Sequence, residues 1–129
     1  MILCFFNLLY NFSVRKVRLR NMKVSVALCT YNGERYIKEQ LDSILNQTIL
    51  PDEIVIFDDY STDSTYEIIK KINFKPQIQI KLNQNNENIN FIRNFEKAIK
   101  NCSGDIILLS DQDDIWIENK IEKVIDYFR

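Results

Sequence analysis

From Lys23 onward one pattern recurs along the chain: a short apolar run, a polar cluster, then apolar side chains at helical spacing. The runs are Val24-Ser25-Val26-Ala27-Leu28, Ile54-Val55-Ile56-Phe57, Ile78-Gln79-Ile80-Lys81-Leu82 and Ile106-Ile107-Leu108-Leu109. Runs this short, bounded by turn-forming residues, read as buried strands. The third alternates strictly, so one of its faces meets water and it belongs near a sheet edge. Between the runs, Ile37, Leu41, Ile44 and Leu45 share one helical face, and Ile68, Ile69 and Ile72 form a second set. Ile92, Phe95, Ile99 and Cys102 form a third, and Ile117, Ile121, Val124, Ile125 and Phe128 a fourth. Such stripes cover a core on one side. Ser64-Thr65-Tyr66-Glu67 has the spacing of a capping box, and Gly104 after Ser103 suits a left-handed helix cap. Asn83 to Asn90 reads as a loop, because Asn side chains compete with regular backbone pairing. The order βαβαβαβα predicts an α/β fold, a mainly parallel sheet with helices on both faces.

The 129 residues, 46% hydrophobic and 27% charged, suffice for one domain with a core. A formal charge of −1 without a basic block argues against nucleic acid as a partner. The chain has no histidine, which removes Ser-His-Asp and Cys-His nucleophiles and every histidine-bound metal site within it. Acid–base or metal chemistry must therefore rest on carboxylates. With only two glycines, Gly33 and Gly104, neither a GxGxxG fingerprint nor a Walker A loop can be written. Cys4, Cys29 and Cys102 are odd in number and widely spaced, which suits a reducing cytoplasm better than a disulfide framework.

Residues 1–22 stand apart from this pattern. Residues 1–12 are almost all apolar, and Arg15, Lys16, Arg18 and Arg20 follow them. The stretch is too short for a spanning helix of about 20 residues, and its charge lies on the wrong side for a secretory signal. Three expectations stay open. Met22 is the natural start, the segment is an extra packed helix, or it makes peripheral contact with the inner membrane surface.

In an open parallel sheet, ligands bind outside the carboxyl ends of the strands. Three clusters fall there: Thr30-Tyr31-Asn32-Gly33-Glu34, Asp58-Asp59-Tyr60-Ser61 and Asp111-Gln112-Asp113. Each alone has an ordinary explanation as a turn or a helix cap. Together they set four or five carboxylates on one rim, which is costly unless a cation or polar ligand compensates. Asp111 and Asp113 leave a buried strand in similar directions, while Gln112 between them turns away. One or two carboxylates, completed by water and a diphosphate, commonly hold Mg²⁺ or Mn²⁺. Tyr31 offers an aromatic face for a base, and Asp58 and Asp59 offer acceptors for a base imide or ribose hydroxyls. Trp116 reads as packing rather than a sugar platform, Cys29 as a small buried hydrophobe, and Lys70-Lys71 as a solvated helix face.

Four segments then carry a family resemblance: Val24 to Gly33, Ile44 to Thr48, Ile54 to Ser61 with Asp63, and Ser110-Asp111-Gln112-Asp113-Asp114-Ile115-Trp116. In this order they resemble the donor-binding half of bacterial family-2 glycosyltransferases of GT-A fold, a Rossmann-like architecture for nucleotide-diphospho-sugar transfer. The resemblance covers residues 23–129, and its last motif is similar to rhamnosyltransferase-type members that build surface polysaccharides. It implies a UDP- or dTDP-sugar donor, a glycan or lipid-linked acceptor, inverting transfer, and Mn²⁺ or Mg²⁺. It further implies that Tyr31 stacks near the base, that Asp59 bonds the pyrimidine imide, and that Thr30, Asn32, Glu34 and Asp58 line the nucleoside pocket. Asp111 would face ribose or sugar, and Asp113, with Asp111, the metal. In the family a second half supplies the acceptor surface and the general base, so a chain ending at Arg129 is expected to be truncated and to hold no catalytic base. One rival is a nucleotide-sugar-binding or structural module without catalysis. Another, a response-regulator receiver, needs an acidic pair where this chain has Cys29-Thr30-Tyr31-Asn32.

Overall fold

A computed structural model describes residues 22–128, so the readings of the amino-terminal extension lie outside the described residues. The strands are β1 (Val24–Thr30), β2 (Glu53–Asp58), β3 (Gln79–Gln84) and β4 (Ile106–Asp111). The helices are α1 (Ile37–Leu45), α2 (Thr65–Lys70), α3 (Phe91–Asn101) and α4 (Lys120–Tyr127). All neighbouring strands are parallel, in the order β3-β2-β1-β4. The alternating third strand lies at an edge, as its sequence predicts. Each strand reaches one or two residues further toward its polar cluster than its apolar run, because the backbone ladder continues through Thr30, Asp58 and Asp111.

Side-chain alternation sorts the sheet into two faces. Val24, Val26, Leu28, Ile54, Ile56, Ile106 and Leu108 pack with Ile37, Leu41 and Ile44 of α1, Ile69 of α2, and Ile121 and Ile125 of α4. Ala27, Cys29, Val55 and Phe57 point the other way, against Phe95 and Ala98 of α3. Helices thus cover both faces, three against one. No helix among the described residues is long and apolar enough to cross a membrane.

Four local expectations change. Ile92 is 76% exposed, and the buried stripe of α3 is Asn94, Phe95 and Ala98. Asn94 can turn inward because its amide donates to the Phe57 carbonyl at 2.9 Å. Ile117 is likewise exposed and precedes α4. Ser64 forms no side-chain cap; Asp63 caps α2 instead, accepting from the Thr65 amide at 2.9 Å and from the Thr65 hydroxyl. Asn83 and Gln84 belong to β3 rather than to the loop.

Gly104 has no positive φ, and α3 ends instead on extended Cys102. Glycine is needed at 104 for close approach: a Cβ there would lie 2.5 Å from Ser25 Oγ, 2.7 Å from Ser25 N and 2.9 Å from Lys23 O. This contact belongs to a polar lock at the amino ends of the strands. Glu53, fully buried at the start of β2, accepts from Ser25 Oγ at 2.5 Å, Ser103 N at 2.6 Å and Ser103 Oγ at 2.9 Å. Lys81 of β3 pairs with it at 2.9 Å. One carboxylate thereby joins β1, β2, β3 and the turn before β4. Burial alone would raise its pKa, but the bonds from Ser25, Lys81 and Ser103 outweigh burial and hold it at about 2.

Removing that carboxylate strands buried donors, so Glu53→Ala is expected to cost about 3 kcal/mol in denaturant unfolding. The folded pKa of about 2 lies below the unfolded value of 4.5, so this stabilisation is present above 4.5 and lost as pH falls toward 2. Glu53→Gln should flatten that part of the stability profile; an unchanged slope would count against the lock. Gly104→Ala should cost about 2 kcal/mol in the same assay, since its contacts include backbone that cannot swing away.

Candidate functional site

The chain passes from β1 outward to β2 and β3, then returns to place β4 on the opposite side of β1. Loops leaving β1 and β4 therefore diverge, and in parallel sheets a ligand crevice opens at such a switch point. The three polar clusters leave the sheet at this rim, after β1, β2 and β4.

The loops after β1 and β2 are stitched together. The Asn32 amide donates to Ser61 Oγ at 2.9 Å, and Asn32 Oδ1 accepts from Thr62 N at 2.8 Å. Gly33 N donates to Thr65 Oγ1 at 2.8 Å, Glu34 N to Asp63 Oδ2 at 3.1 Å, and Ser64 N to Glu34 Oε2 at 2.9 Å. Asp63 is buried enough for its pKa to rise, yet the Thr65 and Glu34 donors leave it below the usual aspartate range. Asn32 and Tyr60 hold left-handed φ values of 48° and 63°. Strain of this kind persists where neighbours fix the backbone, and it gathers at functional sites.

The two consecutive aspartates at the end of β2 face opposite ways. Asp58, fully buried, accepts from Thr30 Oγ1 at 2.8 Å, Ser61 Oγ at 2.6 Å, Ser61 N at 3.0 Å and Gln84 Nε2 at 3.0 Å. Thr30 and Asp58 therefore form the wall behind the rim. Asp59, 3% exposed, accepts through Oδ1 from Asn85 Nδ2 at 2.8 Å and Ile89 N at 2.9 Å. Asn85 also bonds Asn94 Oδ1 at 2.8 Å and is braced by Lys97 Nζ at 3.0 Å. Neutral donors thus relieve Asp58 and Asp59 of the crowding expected from the sequence. Among the described residues no group of three or more His, Cys, Asp and Glu is arranged to hold a metal ion.

What remains is the turn after β4. Asp111 is half-buried, and its pKa is raised by burial and by Asp113 and Asp114, against the opposing bond from Gln112 N to Asp111 Oδ1 at 2.8 Å. Asp113 and Asp114 are exposed. Hard oxygen donors, carrying charge that neighbouring carboxylates disfavour, fit a divalent cation shared with a ligand better than one caged by protein. Asp111 lies beside Cys29 in the β1–β4 register, and Asp59 joins the Asn85–Asn94 layer on the α3 face that also holds Cys29. Burial first, then the charges of Asp111 and Asp59, push the Cys29 thiol up.

Gln112 does not turn away. Its Oε1 accepts from Tyr31 N at 2.7 Å and its Nε2 donates to Tyr31 O at 2.8 Å, leaving the Tyr31 ring 46% exposed at the crevice. Trp116 packs in the core, with Lys120 Nζ 4.0 Å above its ring. An open hollow lined by Ile89, Arg93, Glu96, Lys97 and Lys100 adjoins Asp59 through Ile89, and through Lys97 by way of Asn85. Sequence reasoning missed Asn85, Asn94, Lys97 and Gln112. Asn94 alone carried a signal, a polar residue four positions before Ala98 on the buried stripe of α3.

A family model for glycosyl transferase family 2 matches residues 25–129. The chain is 41% identical over 103 residues to the dTDP-rhamnosyl transferase RfbG of Shigella flexneri, a match covering 77% of this chain and 36% of that protein. Its structure is similar to S. aureus TarS 1-349 in complex with UDP, with a TM-score of 0.73 and 32% identity over 82% of this chain and 32% of that one. It is also similar to the mannosyltransferase PcManGT from Pyrobaculum calidifontis in complex with GDP-Man and Mn²⁺, with a TM-score of 0.68 and 28% identity over 74% and 29% of the two chains. The chain spans about a third of the length of these relatives. With a parallel sheet that superposes on glycosyltransferases of GT-A fold and a family model over nearly all its described residues, the chain belongs to glycosyl transferase family 2.

Proposed function

We propose that residues 23–129 form the donor-binding half of a glycosyltransferase that takes a UDP- or dTDP-sugar and transfers the sugar, with inversion, to a glycan or lipid-linked acceptor in surface polysaccharide synthesis. The observation that carries this reading is that Gln112 bonds the Tyr31 peptide to the turn that follows Asp111 at the switch point of the sheet, with Asp59 N bonded to Thr30 O beside it. The dTDP-rhamnosyl and UDP-bound relatives support the donor class.

In this reading Tyr31 stacks on the base, and Asp59 accepts its imide N–H. Asn85 and the Ile89 amide fix the Asp59 carboxylate from behind, so little reorganisation accompanies binding. Thr30 and Asp58 support the nucleoside pocket, with Asn32 and Glu34 at its lip. Asp111 faces ribose or sugar. Asp113, with Asp111, would hold Mn²⁺ or Mg²⁺, and PcManGT with Mn²⁺ supports that choice. A divalent cation there would neutralise a departing diphosphate. No general base is assigned to these residues; acceptor binding and deprotonation are left to the rest of a protein of the relatives' length. Cytoplasmic placement, with peripheral contact at the membrane face, belongs to the same proposal.

Calorimetry should show UDP binding that Mn²⁺ or Mg²⁺ strengthens, with the cation-dependent part lost in Asp113→Ala. Equal affinity with and without cation, or an unaffected Asp113→Ala, would overturn the metal assignment. Asp59→Ala should weaken UDP by about tenfold, the worth of one well-made bond to a charged acceptor. Because the Asp111 pKa is raised, its charge costs the ligand-free fold stability above that pKa. Asp111→Asn should therefore raise the ligand-free Tm while removing cation-dependent UDP binding. In the wild type that binding should fade, on acidification, at a higher pH than an ordinary aspartate would set.

A further inference from the structure

Tyr31 is the first residue past the β1 ladder, where its N–H and C=O no longer face a strand partner. Gln112 replaces that partner with a side chain: the amide accepts from Tyr31 N at 2.7 Å and donates to Tyr31 O at 2.8 Å. Using both functions at once requires a neutral amide. A carboxylate could not donate, and an apolar side chain could do neither. The backbone of Gln112 is held in turn by Asp111, whose Oδ1 accepts from Gln112 N at 2.8 Å. A continuous path therefore runs from the Asp111 carboxylate through Gln112 to the Tyr31 peptide.

Gly33 makes room for this clamp. A Cβ at position 33 would lie 2.2 Å from Gln112 Oε1 and 2.5 Å from Gln112 Cδ. Gly33 has no positive φ, and the three atoms nearest to an alanine Cβ there all belong to the displaceable Gln112 side chain. One of the chain's two glycines is thus explained by Gln112 rather than by a turn.

We propose that Gln112 is a positioning residue that couples the carboxylates after β4 to the Tyr31 loop, so that a nucleoside and a divalent cation bind cooperatively even with no phosphate between them. This rests on the nucleotide reading above. A cation at Asp111 and Asp113 favours one arrangement of the turn; that arrangement holds the Tyr31 peptide, and the effect is reciprocal.

Uridine is the direct probe, because it has no phosphate and any Mg²⁺ effect on it must pass through the protein. In NMR titrations of the chain, Mg²⁺ should tighten uridine binding by about fivefold or more. In Gln112→Ala and in Gly33→Ala the ratio should fall to about one, with melting curves showing both variants folded. Gly33→Ala removes no polar group, so it keeps the test decisive if Gln112→Ala fails to fold. A wild-type ratio of one, or the wild-type ratio retained in a folded variant, overturns the coupling. A wild type that binds UDP with Mg²⁺ but shows no Mg²⁺ effect on uridine defeats the coupling alone, whereas binding of neither UDP nor uridine defeats the nucleotide reading as well.

Discussion

β1 has hydrogen-bonded neighbours on both edges and packed side chains on both faces, and the rest of the molecule is arranged around that constraint. All seven of its residues are buried, so none of its backbone groups has water as an alternative partner. Parallel strands on either side satisfy the ladder, and helices must then cover both faces. Once β2 has taken one edge and β3 has continued outward, β4 must come back to the other. The exits of β1 and β4 consequently part, and the polar residues there flank the switch point of the sheet.

The sheet treats its carboxylates in opposite ways. At the amino ends, Glu53 collects donors from three elements and is held near a pKa of 2. Asp58, at the carboxyl end of β2, accepts four hydrogen bonds on its two oxygens. Asp111 receives one backbone donor, against burial first and then two further aspartates beside it, so its charge is disfavoured. The donor count separates the groups. A carboxylate saturated by the protein is spent on the fold, and one that is not retains capacity for a ligand.

This division marks what a linear sequence can and cannot express. The alternation of strands and helices, the parallel two-faced sheet and the edge place of β3 follow from period and position, and all are legible before any coordinates. Which carboxylate is saturated depends on donors 26 or 28 residues away, such as Gln84 on Asp58 or Ser25 on Glu53. Periodicity likewise placed Ile92 on the apolar face of α3, because hydrophobicity alone cannot foresee that Asn94 will find the Phe57 carbonyl. Gly104 looked like a helix cap by position, but its reason is a contact with Ser25, 79 residues away. The spacing Asp-X-Asp treats Gln112 as filler, while its bonds lie 81 residues back in the chain.

Left-handed backbone at the rim is a consequence of the same geometry. Asn32, Tyr60 and Asn90 are the non-glycine residues with positive φ among those described, and they follow β1, follow β2 and precede α3. Asn accepts this conformation readily, whereas Tyr60 does so at a cost of roughly 1–2 kcal/mol. The cost is met because both flanks of Tyr60 are fixed. Asp59 N donates to Thr30 O at 2.8 Å on one side, and Ser61 bonds the Asp58 carboxylate through both its amide and its hydroxyl on the other. A reversal at Tyr60 follows the step in which Asp58 enters the wall shared with Thr30 while Asp59 reaches the layer of Asn85 and α3. The strain therefore accompanies the separation of Asp58, which is built into the wall with Thr30, from Asp59, which is held in the layer of Asn85 and α3.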